Sequence, residues 1–138
     1  MIFSSCLAAD EYYTYDTIVD TLHAWQETFG LEEHPDADTY PDFGIIYELK
    51  TIGYSSQEGL PIYAVKLSAN VKERSAEPKM LILGQCHAEE IYGVEIAMEI
   101  INQFLHPHQY IDNRPYFQSG LFYTELWIIP TYNPEGLR

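Results

Sequence analysis

The chain has 138 residues, about one domain's worth and enough to close a modest core. Hydrophobic residues make up 46% and aromatics 14% of it, with 12 tyrosines, which excludes a disordered acidic tail. The formal net charge of -14, from 21 acids against 7 bases that form no cluster, argues against nucleic acid as a partner.

The chain opens with "MIFSSCLAAD", short and apolar with small residues before Asp10. Residues 1–9 read either as the remnant of a secretory signal cut after Ala8 or Ala9, or as a frayed terminus, since the stretch has no basic start and is shorter than a full signal. The remnant would imply a secreted or periplasmic protein, the frayed end a cytoplasmic one. Residues 10–138 read as one unit without repeat, linker or low-complexity run. Cys6 and Cys86 define no disulfide framework, and no run reaches the ~18 apolar residues of a membrane span.

From Thr14 to Phe29, apolar residues at Ile18, Val19, Leu22, Trp25 and Phe29 follow helical spacing, and Gly30 supplies a stop. "LEEHPDADTYPDFG" is acidic and holds two prolines, so it reads as an exposed loop; its His34 sits in a solvated charge run. Residues 45–52 and 61–68 are two β-rich runs joined by a Gly- and Ser-containing connection that suits a hairpin. After the polar loop "NVKERSAEPK", residues 80–85 read as a short strand buried on both faces. Residues 91–105 return to helical period, with Val94, Ala97, Met98, Ile101, Phe104 and Leu105 on one face and Glu95 and Glu99 turned elsewhere. The loop "HPHQYIDNRPYFQSG" leads to a strand at Leu126–Ile129 that Pro130 and the Asn-Pro turn are expected to end. This order predicts an α/β fold, a mixed β-sheet flanked by helices.

Within "LILGQCHAEEIYG", His87 lies just past the end of an apolar strand, where open α/β sheets place their sites, and Glu90 follows at the start of a helix. Imidazole and carboxylate both suit Zn²⁺, and a catalytic zinc typically has three protein ligands and an open position. By spacing alone, His-x-x-Glu reads first as a helix start whose glutamate complements the dipole, and a metal pair is the second reading.

Four stretches in order, "YYTYDTIVDTLHAW", "IGYSSQEGLPIYAVKLS", "LILGQCHAEE" and "IIPTYNPEG", resemble the N-terminal part of a zinc carboxypeptidase of the carboxypeptidase A-like family. The resemblance covers nearly the whole chain from Tyr12 to Gly136. It implies a zinc-carboxypeptidase-like fold, incomplete at the C-terminus, and a zinc-dependent hydrolase that cleaves the C-terminal bond of peptides through a metal-activated water. His87 and Glu90 would be the first two zinc ligands, and Glu89 not a ligand. Glu89 stands where many members carry a substrate-facing arginine, and Glu135 where aspartate is usual. Asn133, Pro134 and Gly136 would shape the turn.

The resemblance also implies what this stretch lacks: a third ligand histidine, a substrate-carboxylate arginine and a catalytic glutamate, all of which the family places later. His23, His34, His106 and His108 do not match the missing ligand, nor Arg114 and Arg138 the arginine. The chain alone is therefore expected to be inactive. The alternative reading is a non-catalytic carboxypeptidase-like binding module, in which His87 and Glu90 are only polar residues at a strand end. Oligomeric state is open, and an incomplete sheet is expected to expose an edge and an apolar face.

Overall fold

A computed structural model of the chain describes residues 12–32, 43–73, 76–106 and 119–138. The expectations for residues 1–9, Cys6, His34, His108 and Arg114 lie outside the described residues.

Helix α1, Tyr15–Phe29, starts on a reciprocal cap: the Thr17 N–H donates to the Thr14 hydroxyl at 3.3 Å and the Thr14 N–H donates to the Thr17 hydroxyl at 2.8 Å. Gly30 ends it, returning its N–H to the Gln26 carbonyl. The helical spacing sends Tyr15, Ile18, Leu22 and Phe29 inward, while Val19 and Trp25 are half-buried.

Strands β1 (Tyr47–Tyr54) and β2 (Pro61–Leu67) form the expected hairpin, antiparallel from Tyr47 opposite Leu67 to Tyr54 opposite Pro61, with a bulge between Thr51 and Gly53. Ser55 closes it: its N–H donates to the Leu60 carbonyl and its hydroxyl accepts from the Leu60 N–H. Strand β3 (Lys79–Gln85) crosses over through α2 (Ile91–Leu105) to its parallel neighbour β4 (Glu125–Thr131), and β4 also pairs antiparallel with β2. The sheet is mixed, in the order β1-β2-β4-β3.

Both helices lie on one face. Tyr47, Val65, Leu67, Leu126 and Ile128 from that face join Ile18 and Leu22 of α1 and Met98 and Ile101 of α2 in one core. Each such side chain contributes about 1.5–3 kcal/mol on burial. Tyr47 is wholly buried, so its hydroxyl must find a partner and donates to the Leu22 carbonyl at 2.9 Å. Burial also pushes its phenol pKa far up.

Two expectations are corrected. Residues 80–85 are not buried on both faces: Met80, Leu81 and Leu83 are 53%, 60% and 51% exposed. Among the described residues β3 is an edge strand, paired with β4 alone, and α2 covers only one of its faces. Nor does Pro130 end β4, which runs on to Thr131. Pairing with β2 stops at Ile128 while pairing with β3 continues to Thr131, so the proline sits where β4 has no ladder partner on the β2 side.

At the start of β4, the buried Glu125 carboxylate receives Lys66 Nζ at 3.1 Å, Lys79 Nζ at 2.8 Å and the Trp127 indole N–H at 2.6 Å. Lys66 Nζ also donates to the Val71 carbonyl, which completes the buried ammonium's surroundings. Burial alone would raise the Glu125 pKa; the bonds from Lys79, Trp127 and Lys66 outweigh it and hold the pKa at about 2. No helix among the described residues is long and apolar enough to cross a membrane.

Candidate metal centre

The turn from β3 into α2 is tight because two glycines let backbone meet backbone. A Cβ at Gly84 would collide with the carbonyl oxygens of Pro130 and Gly93, and one at Gly93 would lie 3.0 Å from the Gly84 carbonyl carbon. The first turn of the helix is thus pressed onto the end of the strand, and Cys86–Glu90 must fold over that junction. Within it the Glu90 N–H donates to the His87 carbonyl at 2.9 Å.

Glu90 occupies the cap position of α2 yet makes no side-chain bond to the helix. Its carboxylate folds back instead. One oxygen accepts from the backbone N–H of His87 at 3.1 Å and of Cys86 at 3.3 Å, and the other lies 2.9 Å from His87 Nδ1. The bond to Glu90 raises the His87 pKa, and the same bond, followed by the backbone N–H groups, lowers that of Glu90. Both side chains face solvent, at 67% and 48% exposure.

The donor chemistry fits zinc as far as it goes. Nδ1 of His87 and a carboxylate oxygen of Glu90 converge, so one ion can take the place of the proton they share, and nitrogen and oxygen donors of these types are zinc ligands. The fit covers two donors: among the described residues no group of three or more His, Cys, Asp or Glu side chains is placed to hold a metal. Glu89 is exposed on the same turn. His23 pairs with the Tyr63 hydroxyl at 3.3 Å, and the His106 ring stands edge-on to Phe29 with centroids 5.1 Å apart, so both are engaged elsewhere. Arg138 pairs with Glu58.

A second turn braces this loop from β4. Gln85 and Thr131 end adjacent parallel strands in register, and the Thr131 hydroxyl donates to the Gln85 side-chain oxygen at 2.5 Å. The same hydroxyl oxygen accepts the Asn133 N–H at 3.0 Å, and Asn133 Nδ2 donates to the Cys86 carbonyl at 2.9 Å. Pro134 opens the short 3-10 turn Pro134–Leu137, in which Gly136 is needed: a Cβ there would stand 2.8 Å from Asn133 Nδ2 and 3.2 Å from the Ala88 Cα.

From this turn Glu135 reaches the β1–β2 hairpin and accepts from the Gln57 and Glu58 N–H groups at 3.0 and 2.8 Å. Its lowered pKa follows first from a bond to the Ser55 side chain, then from those N–H groups. Asn133, Pro134 and Gly136 form the turn expected from the sequence, whereas the roles of Gln85, Thr131 and Glu135 are not legible there as a motif. A signal was present, since Gln85 and Thr131 are polar residues closing apolar strands, and buried polar groups demand partners.

The zinc carboxypeptidase family model matches residues 37–138. The chain is 30% identical over 116 residues to a zinc carboxypeptidase of Saccharothrix mutabilis subsp. capreolus, across 84% of this chain and 25% of that protein. It is 27% identical to Carboxypeptidase SOL1 of Arabidopsis thaliana, across 92% of this chain and 28% of that protein. It therefore spans about a quarter of the length of these curated relatives. Its fold superposes on a metallo-carboxypeptidase of Burkholderia cenocepacia with a TM-score of 0.67 at 17% identity, over 91% of this chain and 28% of that one. With the family model covering most of its length, the chain belongs to the zinc carboxypeptidase family.

Proposed function

We propose that the chain is part of a zinc-dependent metallocarboxypeptidase that removes the C-terminal residue of peptides and proteins, with His87 and Glu90 as two of its zinc ligands. The observation that carries this is the Glu90 carboxylate, which leaves its own helix start and converges with His87 Nδ1 at 2.9 Å in a chain of this family. A helix cap would point the other way.

Zinc held there would supply Lewis-acid polarisation of the scissile carbonyl and of a water. The chain's own part is to hold the ligands. The His87 and Cys86 N–H groups fix one carboxylate oxygen of Glu90 and leave the other directed at the imidazole. The Gly84–Gly93 contact fixes where strand and helix meet. The resemblance implies that the residues binding the peptide's terminal carboxylate and moving protons lie later in the family, and the chain spans about a quarter of its curated relatives, so the 138-residue chain is expected to cleave nothing alone.

The test is C-terminal trimming by the product of the complete reading frame that contains these residues. With Zn²⁺, it is expected to release the last residue of a peptide with a free C-terminus and to spare the amidated peptide. H87A and E90A should each abolish release. Trimming that persists in both variants would contradict the assignment.

A further inference from the structure

The geometry points to Asn133 as a positioning residue for the metal-facing pair, with Thr131 setting its side chain. This rests on the reading of His87 and Glu90 as ligands. One peptide unit, Cys86–His87, is held from both ends. Its carbonyl accepts from Asn133 Nδ2 at 2.9 Å, and its N–H donates to the Glu90 carboxylate at 3.1 Å. The Asn133 amide, the peptide and the carboxylate thus form a continuous donor-to-acceptor relay. Each bond in such a relay polarises the next, so the Asn133 bond both fixes the tilt of the peptide and strengthens its N–H as a donor to Glu90.

Asn133 is itself fixed. Its N–H is held by the Thr131 hydroxyl at 3.0 Å, and that hydroxyl is anchored to the buried Gln85 on the neighbouring strand. Gly136 lets the turn close against Ala88 without displacing the Asn133 amide. The carboxylate lies on an exposed surface, where water competes for every donor. Its orientation therefore depends on the backbone N–H groups, and that of the His87 N–H on Asn133. Partners that hold a metal ligand in place in this way typically carry about 10–100-fold in metal affinity.

The test is calorimetric Zn²⁺ titration of the metal-free product of the complete reading frame that contains these residues and of its variants, with fold checked by circular dichroism. H87A defines binding outside the site. N133A is expected to weaken zinc binding by about tenfold or more. T131V, which keeps the shape and deletes the hydroxyl, should weaken it as well, while T131S restores the hydroxyl and should bind like the parent. A purely structural role would not distinguish serine from valine in this way once both variants are folded.

If the parent binds no more tightly than H87A, the ligand assignment itself fails. If the parent outbinds H87A but folded N133A and T131V bind like the parent, the positioning role alone fails. Where N133A does not fold, the comparison of T131V with T131S decides by the same criterion.

Discussion

The two helices begin with residues of opposite use. Thr14 and Thr17 close a reciprocal cap on α1, so both threonine hydroxyls at that start serve the helix itself. At α2 the cap position holds Glu90, whose carboxylate makes no bond to its helix and turns back to the Cys86 and His87 N–H groups and the His87 ring. A side-chain cap is typically worth about 1 kcal/mol, and α2 forgoes it. The helix holds its place by other means, namely the backbone contact of Gly84 with Gly93 and the burial of Val94, Ala97, Met98 and Ile101. A carboxylate withheld from the nearest structural task is one available for a ligand.

The contrast extends to Glu125, a carboxylate committed wholly to structure, and there the largest effect is expected. E125A leaves Lys66 buried without its counter-charge and should cost about 4 kcal/mol in urea unfolding, with zinc binding at His87 and Glu90 retained in the folded fraction. The sign in pH follows from the folded pKa of about 2, below the usual glutamate value of 4.5. Its stabilising share is fully present above the unfolded value and is lost as pH falls from 4.5 toward 2, an acid-side loss that E125Q should lack.

Next is the junction that replaces a cap on α2. G84A drives a methyl into the Pro130 and Gly93 carbonyls and should cost about 2 kcal/mol or more, weakening zinc binding too because the ligand loop rides on that contact. Smaller is T14A, expected to cost about 1 kcal/mol of stability with zinc affinity unchanged, as its cap serves α1 only. Smallest is E90A, expected to leave the melting temperature of the metal-free chain where it was while abolishing zinc binding. A clear fall in that melting temperature would put Glu90 back among structural residues and erase the contrast.

Much of this architecture is legible in the residues. The spacing of Val94, Ala97, Met98, Ile101, Phe104 and Leu105 predicts α2 at 91–105, as found, because a one-sided apolar stripe has one way to be buried. The hairpin is legible in its β-rich runs and turn. The candidate site needed the ordered resemblance, since His-x-x-Glu alone fits either reading.

What escaped depends on partners distant in sequence. The run Met80–Leu83 announces an apolar strand but not whether a neighbour covers both its faces, and here α2 covers one. Pro130 ends a strand only where its missing N–H is needed, which the extent of the β2–β4 pairing decides. The Gln85–Thr131 bond spans 46 positions and the Glu135 contact with Glu58 spans 77, distances over which a local pattern carries no information.

The most direct measurement is an NMR titration of the isotopically labelled 138-residue chain with Zn²⁺, following the histidine ring and carboxylate side-chain signals. The His87 ring and the Glu90 carboxylate are predicted to shift together, through Nδ1 of the ring, while the His23 and His106 rings stay in place. A titration that moves His23 or His106 and leaves His87 and Glu90 unchanged would contradict the account.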